Sequence, residues 1–254
     1  MIQVEKVIVE EIPMLVVGKQ DLKNIPLPGL IFLHGFMSAK EHNLHYAYLL
    51  AERGFRVFLP EAIMHGERGD DYSERVMSKS FWKIVLTSIK ELPKIKHYIT
   101  EYGYVIHDRV ALGGTSMGAI TTLGALTQYN WIKAAVSMMG TPAYKDFAQG
   151  QLNEFAEQGI DLGYSEEEKE AIFNDLAKYD LSIQPEKLNG RPLFVWHGES
   201  DPVVPISGIH SFVESGASLF KDEQITYMPD RYAGHAVTRK GLLEAINWIE
   251  EKVI

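Results

Sequence analysis

The chain has 254 residues, of which 46% are hydrophobic and 23% charged, ordinary proportions for a globular protein with a sizeable core. A formal net charge of −9, without any cluster of Lys and Arg, argues against a nucleic-acid partner. The absence of cysteine excludes disulfides, a thiol nucleophile and a thiolate metal site. Met1 to Lys6 carries no basic segment leading into an apolar core, and no apolar run approaches membrane-spanning length, so a cytoplasmic protein with no membrane partner is expected.

From Gln3 to Val17 apolar and polar residues alternate around Glu10, Glu11 and Pro13, which predicts two short antiparallel strands. Leu30 to Leu33 is continuously apolar, as in a strand buried on both faces, and ends at His34-Gly35-Phe36. A helix from Tyr46 to Arg53 stops at Gly54, and Phe55 to Leu59 is the next buried strand. Phe81 to Tyr102 is amphipathic but contains Pro93, which should kink or split it. Arg109 to Leu112 reads as a strand, Ala119 to Gln128 as a helix and Trp131 to Met138 as a strand. Two more strands, Pro192 to Trp196 and Ile225 to Met228, precede a final helix from about Thr238 to Lys252.

Strands alternating with helices imply βαβ units and a mostly parallel sheet covered on both faces, in a single α/β domain spanning 1–254. Residues 140–189 interrupt the alternation. Ser165 and Glu168 there form a capping box for a helix reaching about Tyr179, and the segment is expected to be a small helical cap or lid.

The sequence Gly114-Thr115-Ser116-Met117-Gly118 lies between a strand and a helix. The pattern G-x-S-x-G alone is only a lead, but in that setting it reads as a nucleophile elbow. Its serine needs a histidine to take its proton and an acid to orient that histidine. Of nine histidines, His235 stands in a loop between the last strand and last helix, from which it can reach back over the sheet edge. Asp201 follows the penultimate strand and completes the order Ser, Asp, His, with Glu199 as the near competitor and Asp230 a more remote one. His34 and His197 read as structural, His42 and His45 as surface or capping residues, and His65, His97, His107 and His210 have no supporting context beyond loops and helix faces. An oxyanion hole would draw one N–H from Met117 and a second from Phe36 in the loop after the third strand. Phe36, Met37, Met64, Trp82, Met138 and Met139 are candidates for an apolar substrate wall, and the methionines would make it adaptable.

The set His34-Gly35-Phe36, Pro60 to Gly69, Gly114 to Gly118, His197 to Asp201 and Ala233-Gly234-His235 resembles the α/β-hydrolase superfamily. Within it the chain is similar to dienelactone-hydrolase and prolyl-oligopeptidase-like serine esterases, most of all to small bacterial YitV/YjfP-type esterases. The resemblance implies an eight-stranded sheet, a serine hydrolase mechanism and carboxylesterase activity on small-molecule esters, with no cofactor and no metal. Serine at position 116 departs from the cysteine of dienelactone hydrolases proper, so lactone specificity does not carry over. The propeller of prolyl oligopeptidases is missing too. An acyl-CoA thioesterase, an aminopeptidase-like amide hydrolase using Glu61, Glu67 or Arg68 to hold a charged terminus, and a non-catalytic binding protein remain as alternatives.

Overall fold

In the computed structural model, which describes residues 1–216 and 218–254, the N-terminal alternation forms two antiparallel strands, β1 (Ile2–Val9) and β2 (Ile12–Lys19). Six more strands follow: β3 (Leu27–Leu33), β4 (Arg56–Pro60), β5 (Val105–Thr115), β6 (Ala135–Met138), β7 (Leu193–Gly198) and β8 (Ile225–Asp230). They join one eight-stranded sheet in the order β1-β2-β4-β3-β5-β6-β7-β8, parallel from β4 onward. The crossovers are carried by α1 (Leu44–Glu52), α2 (Glu74–Glu101), α3 (Met117–Ala125) and α6 (Ser207–Ser215), with α7 (Arg239–Val253) after the last strand. This is the α/β-hydrolase arrangement, and no helix among the described residues is long and apolar enough to cross a membrane.

Because successive strand side chains point to opposite faces, each buried strand feeds two cores. Ile31, Leu33, Val110 and Leu112 pack with α2 and α3, whereas Leu30, Phe32 and Ala111 pack with α1 and α7. Between β6 and β7 lie α4 (Tyr144–Glu157), α5 (Glu166–Ala177) and two short 3-10 turns. The Ser165 capping box forms as expected, with Ser165 N–H donating to Glu168 and Glu168 N–H to Ser165 Oγ. Helices α4 and α6 were not legible in the sequence, and the expected Trp131 to Met138 strand begins only at Ala135.

Pro93 neither splits nor ends α2, which runs unbroken for 28 residues from its Ser73 cap. A proline inside a helix deprives the carbonyl four residues earlier of its donor. Here that carbonyl belongs to Ile89, and the Tyr129 hydroxyl donates to it at 3.1 Å. The lost bond is replaced from the end of α3. Tyr129→Phe leaves this carbonyl without a partner and should cost about 1–2 kcal/mol in urea unfolding; an unchanged midpoint would show that the hydroxyl is not what lets α2 tolerate its proline.

Candidate active site

Strand β5 ends at Thr115 and α3 starts at Met117, so Ser116 alone makes the turn, with φ 52° and ψ −117°. Residues other than glycine rarely adopt such a backbone, at a cost of about 1–3 kcal/mol. Packing enforces it. A Cβ on Gly118 would lie 2.2 Å from the Leu33 carbonyl oxygen, and one on Gly114 would lie 2.4 Å from the Gly118 carbonyl carbon. The helix therefore sits directly on the strand ends, and Ser116 N–H donates to Met138 O at 2.9 Å. Met117 N–H, at the first position of α3, is one of the helix's open donors.

His235 reaches the serine from the loop after β8. Its Nε2 lies 2.8 Å from Ser116 Oγ and its Nδ1 2.7 Å from Asp201 Oδ2. The Asp201 carboxylate is fully buried, and its other oxygen accepts the amides of Val203 (2.8 Å) and Val204 (2.9 Å). The aspartate is thus fixed before it meets the histidine. Ser200 N–H donates to Ala233 O, which ties the acid and histidine loops together. Glu199 is exposed, and Asp230 binds Tyr232 N–H and Thr238 Oγ1, so neither competitor is available to the imidazole. His197 is buried behind Asp201 with its Nε2 at 2.8 Å from Val204 O, and burial pushes its pKa down. Ser116, His235 and Asp201 form a continuous hydrogen-bonded chain. Such a chain can draw the proton from the serine hydroxyl.

A model of the prolyl oligopeptidase family matches residues 41–252. The chain belongs to that family. It is 45% identical to YitV of Bacillus subtilis (strain 168), over 98% of this chain and 99% of that one. It is 30% identical to Esterase YjfP of Escherichia coli (strain K12), over 99% of each. Among solved structures, TT1662 from Thermus thermophilus superimposes with a TM-score of 0.80 at 19% identity, covering 100% of this chain and 98% of its own, a likeness of fold. These matches make the protein a hydrolase of the prolyl oligopeptidase family.

In this family member the loops after β3 and β4 are bound together by buried charge. The Lys40 side chain is 1% exposed, and its ammonium donates to Glu61 at 2.7 Å, Glu67 at 2.7 Å and Glu41 at 2.8 Å. Those three carboxylates converge as metal ligands would, but the Lys40 ammonium already fills the position a cation would take. Burial would raise the Glu61 pKa; hydrogen bonds from His34 and Lys40 outweigh it and pull the carboxyl down to about 2. Glu67 also pairs with Lys6, and Arg68 makes a two-pronged contact with Glu91 at 2.9 and 2.7 Å. The groups considered for holding a charged substrate terminus are therefore all occupied.

Phe36 is half-buried, with its ring edge-on to Phe81, and its N–H has no partner among the described residues. Met37 is exposed, Met64 is half-buried, and Trp82 packs on Tyr144 and Phe147 while donating to Gln151 Oε1. Met138 corrects the sequence reading. It is fully enclosed in the core on the α1 and α7 side, because alternation along β6 turns it inward, so it is no part of a substrate wall. Met139 is 8% exposed and belongs to the same core. The sequence reading also passed over His65, which is 4% exposed and whose Nε2 accepts the Met37 amide at 3.0 Å.

Glu61→Gln leaves the Lys40 ammonium short of a buried counter-charge and should destabilise the fold by about 3 kcal/mol at pH 7. A carboxyl lowered from about 4.5 to about 2 stabilises the folded state above its unfolded pKa, and that contribution fades as pH falls through the folded one. The gap between wild type and variant in denaturant titrations should therefore close between pH 4.5 and 2. A gap independent of pH would sink this account.

Proposed function

We propose that the protein is a carboxylic ester hydrolase working through an acyl-enzyme on Ser116. His235, oriented by Asp201, takes the hydroxyl proton as Ser116 Oγ attacks the ester carbonyl. The tetrahedral oxyanion is held by the amides of Phe36 and Met117. His235 then returns the proton to the departing alcohol and activates the water that releases the acid. The observation that carries this reading is the unbroken bond chain from Ser116 Oγ through His235 to the buried Asp201. The name of its relative YjfP, an esterase, supports an ester as the substrate.

An apolar small-molecule ester fits better than a substrate with a charged terminus. Glu61 is buried against Lys40, Glu67 is shared by two lysines and Arg68 is locked to Glu91, which weighs against the aminopeptidase reading. An acyl-CoA thioesterase would use the same three residues, and acyl-CoA kinetics separate the two. A cleft of about 240 Å³ opens between α2, α4 and α5, starting at Trp82 and walled by Leu86, Leu152, Phe155 and Phe173. The aromatic row Phe36, Phe81, Trp82 leads toward it from the loop after β3. We assign it to short-to-medium acyl chains, with α4 and α5 as the cap that bounds it.

Ser116→Ala should abolish turnover of p-nitrophenyl esters and labelling by a fluorophosphonate probe; wild-type turnover in that variant would end the elbow assignment. Asp201→Asn should lower kcat about 10³–10⁴-fold, as expected when a histidine loses its tautomer control, whereas Glu199→Gln should stay within about twofold of wild type. A larger loss for the glutamate variant would transfer the acid role to Glu199. Filling the cleft with Leu152→Trp should reduce the octanoate-to-acetate ratio of kcat/KM by about tenfold or more, the low end of the discrimination a single methylene commands. An unchanged ratio would place the acyl chain elsewhere.

A further inference from the structure

We infer that His65 is the positioning residue of the loop after β3, an assignment that rests on Ser116 being the nucleophile and the Phe36 N–H an oxyanion donor: by accepting the Met37 amide it holds the Phe36 amide in place. The loop has little else to fix it at this point. Met37 stands at φ 56°, a left-handed backbone in a residue that is not glycine, and the residue is 60% exposed. No packing of the Met37 side chain can therefore hold the conformation. What fixes the backbone is its N–H, donated across 28 residues of sequence to His65 Nε2 at 3.0 Å.

The histidine is itself set for this single role. Nδ1 lies 3.0 Å from Ile63 O, so the ring proton sits on Nδ1 and Nε2 keeps the lone pair that Met37 requires. The imidazole stands edge-on to Phe36 at 5.7 Å and to His34 at 5.1 Å, which fixes its plane. Burial lowers its pKa and keeps it neutral around pH 7, the only state in which Nε2 can accept. The loop that carries His65 is anchored at both ends, by Glu61 on Lys40 and by Arg68 on Glu91. Buried charge therefore holds the β4 loop, the β4 loop holds His65, and His65 holds the residue after Phe36. Displacing an oxyanion donor affects the transition state more than the ground state, so a loss at His65 should appear in kcat.

The test compares two polar replacements of similar size. Glutamine can bring an amide oxygen to the position of Nε2, whereas asparagine reaches only as far as Nδ1 and cannot accept from Met37. His65→Asn should lower kcat for p-nitrophenyl acetate about 30-fold with KM changed less than threefold. His65→Gln should restore kcat to within about fivefold of wild type. The inhibition constant of a trifluoromethyl ketone, which forms a tetrahedral adduct with the nucleophile, should weaken in step with kcat. Equal kcat for the two variants would overturn the inference, as would a loss confined to KM or an unchanged inhibitor affinity in His65→Asn. If His65→Ala folds, as judged by circular dichroism, it should resemble asparagine; if it does not, the asparagine and glutamine pair still decides. An active Ser116→Ala enzyme would instead refute the underlying serine mechanism, whatever the His65 variants do.

Discussion

The close seat of α3 on the ends of β3 and β5 is the constraint from which the site follows. With Gly118 against the Leu33 carbonyl and Gly114 against Gly118, there is room for only one residue between strand and helix. That residue must take φ 52°, and the cost of about 1–3 kcal/mol is met by the surrounding sheet and helix packing. In return the serine side chain stands clear of the sheet and the first amides of α3 remain free. A larger residue at either glycine would drive the helix away, and the geometry of Ser116 would relax with it.

The two sides of the serine are held by different physics. On the His235 side, backbone donors dominate: Asp201 is clasped by two amides, and the acid and histidine loops are tied by Ser200 N–H to Ala233 O. On the Phe36 side, buried ion pairs dominate, with Lys40 enclosed by three carboxylates and Arg68 fastened to Glu91. Burying such charges gives little net stability compared with apolar packing, but removing one partner is costly. The cluster ties the loop after β3 to the loop after β4 through Lys40, Glu61 and Glu67.

Much of this was legible because its causes are local. Glycines flanking a serine between an apolar strand and a helix announce a tight turn within five residues. The order Ser116, Asp201, His235 follows from strand order, and the structure brings those three into contact. What escaped was whatever depended on distant partners. Pro93 looked like a break because the hydroxyl that replaces its missing bond comes from Tyr129, 40 residues away. Lys40 carries no sign of burial, since lysine is almost never fully buried without paired charges and its partners lie in other loops. His65 read as a loop histidine because its partner is a backbone amide that any sequence would supply. Helix α4 has only Tyr144 and Ala148 fully buried, too sparse a stripe for periodicity to reveal.

Backbone strain is distributed in a way that ties these observations together. Met37 follows β3, Met64 follows β4, Ser116 follows β5 and Met139 follows β6, and each has φ between 52° and 62°. These four strands are neighbours in the sheet, in the order β4-β3-β5-β6. Strained non-glycine residues thus line up along one carboxyl edge, where open α/β sheets place their ligands. Ser116 and Met139 turn directly after their strands and still donate to the end of the neighbouring strand, whereas Met37 and Met64 turn four residues past β3 and β4. Each such turn needs a restraint from outside: Met138 O accepts from Ser116, Trp196 O accepts from Met139, Arg68 O accepts from Met64, and His65 accepts from Met37. Three of those acceptors are backbone carbonyls that no single substitution removes. Among these four turns only Met37 has a side chain as its acceptor, so substituting His65 removes that restraint itself.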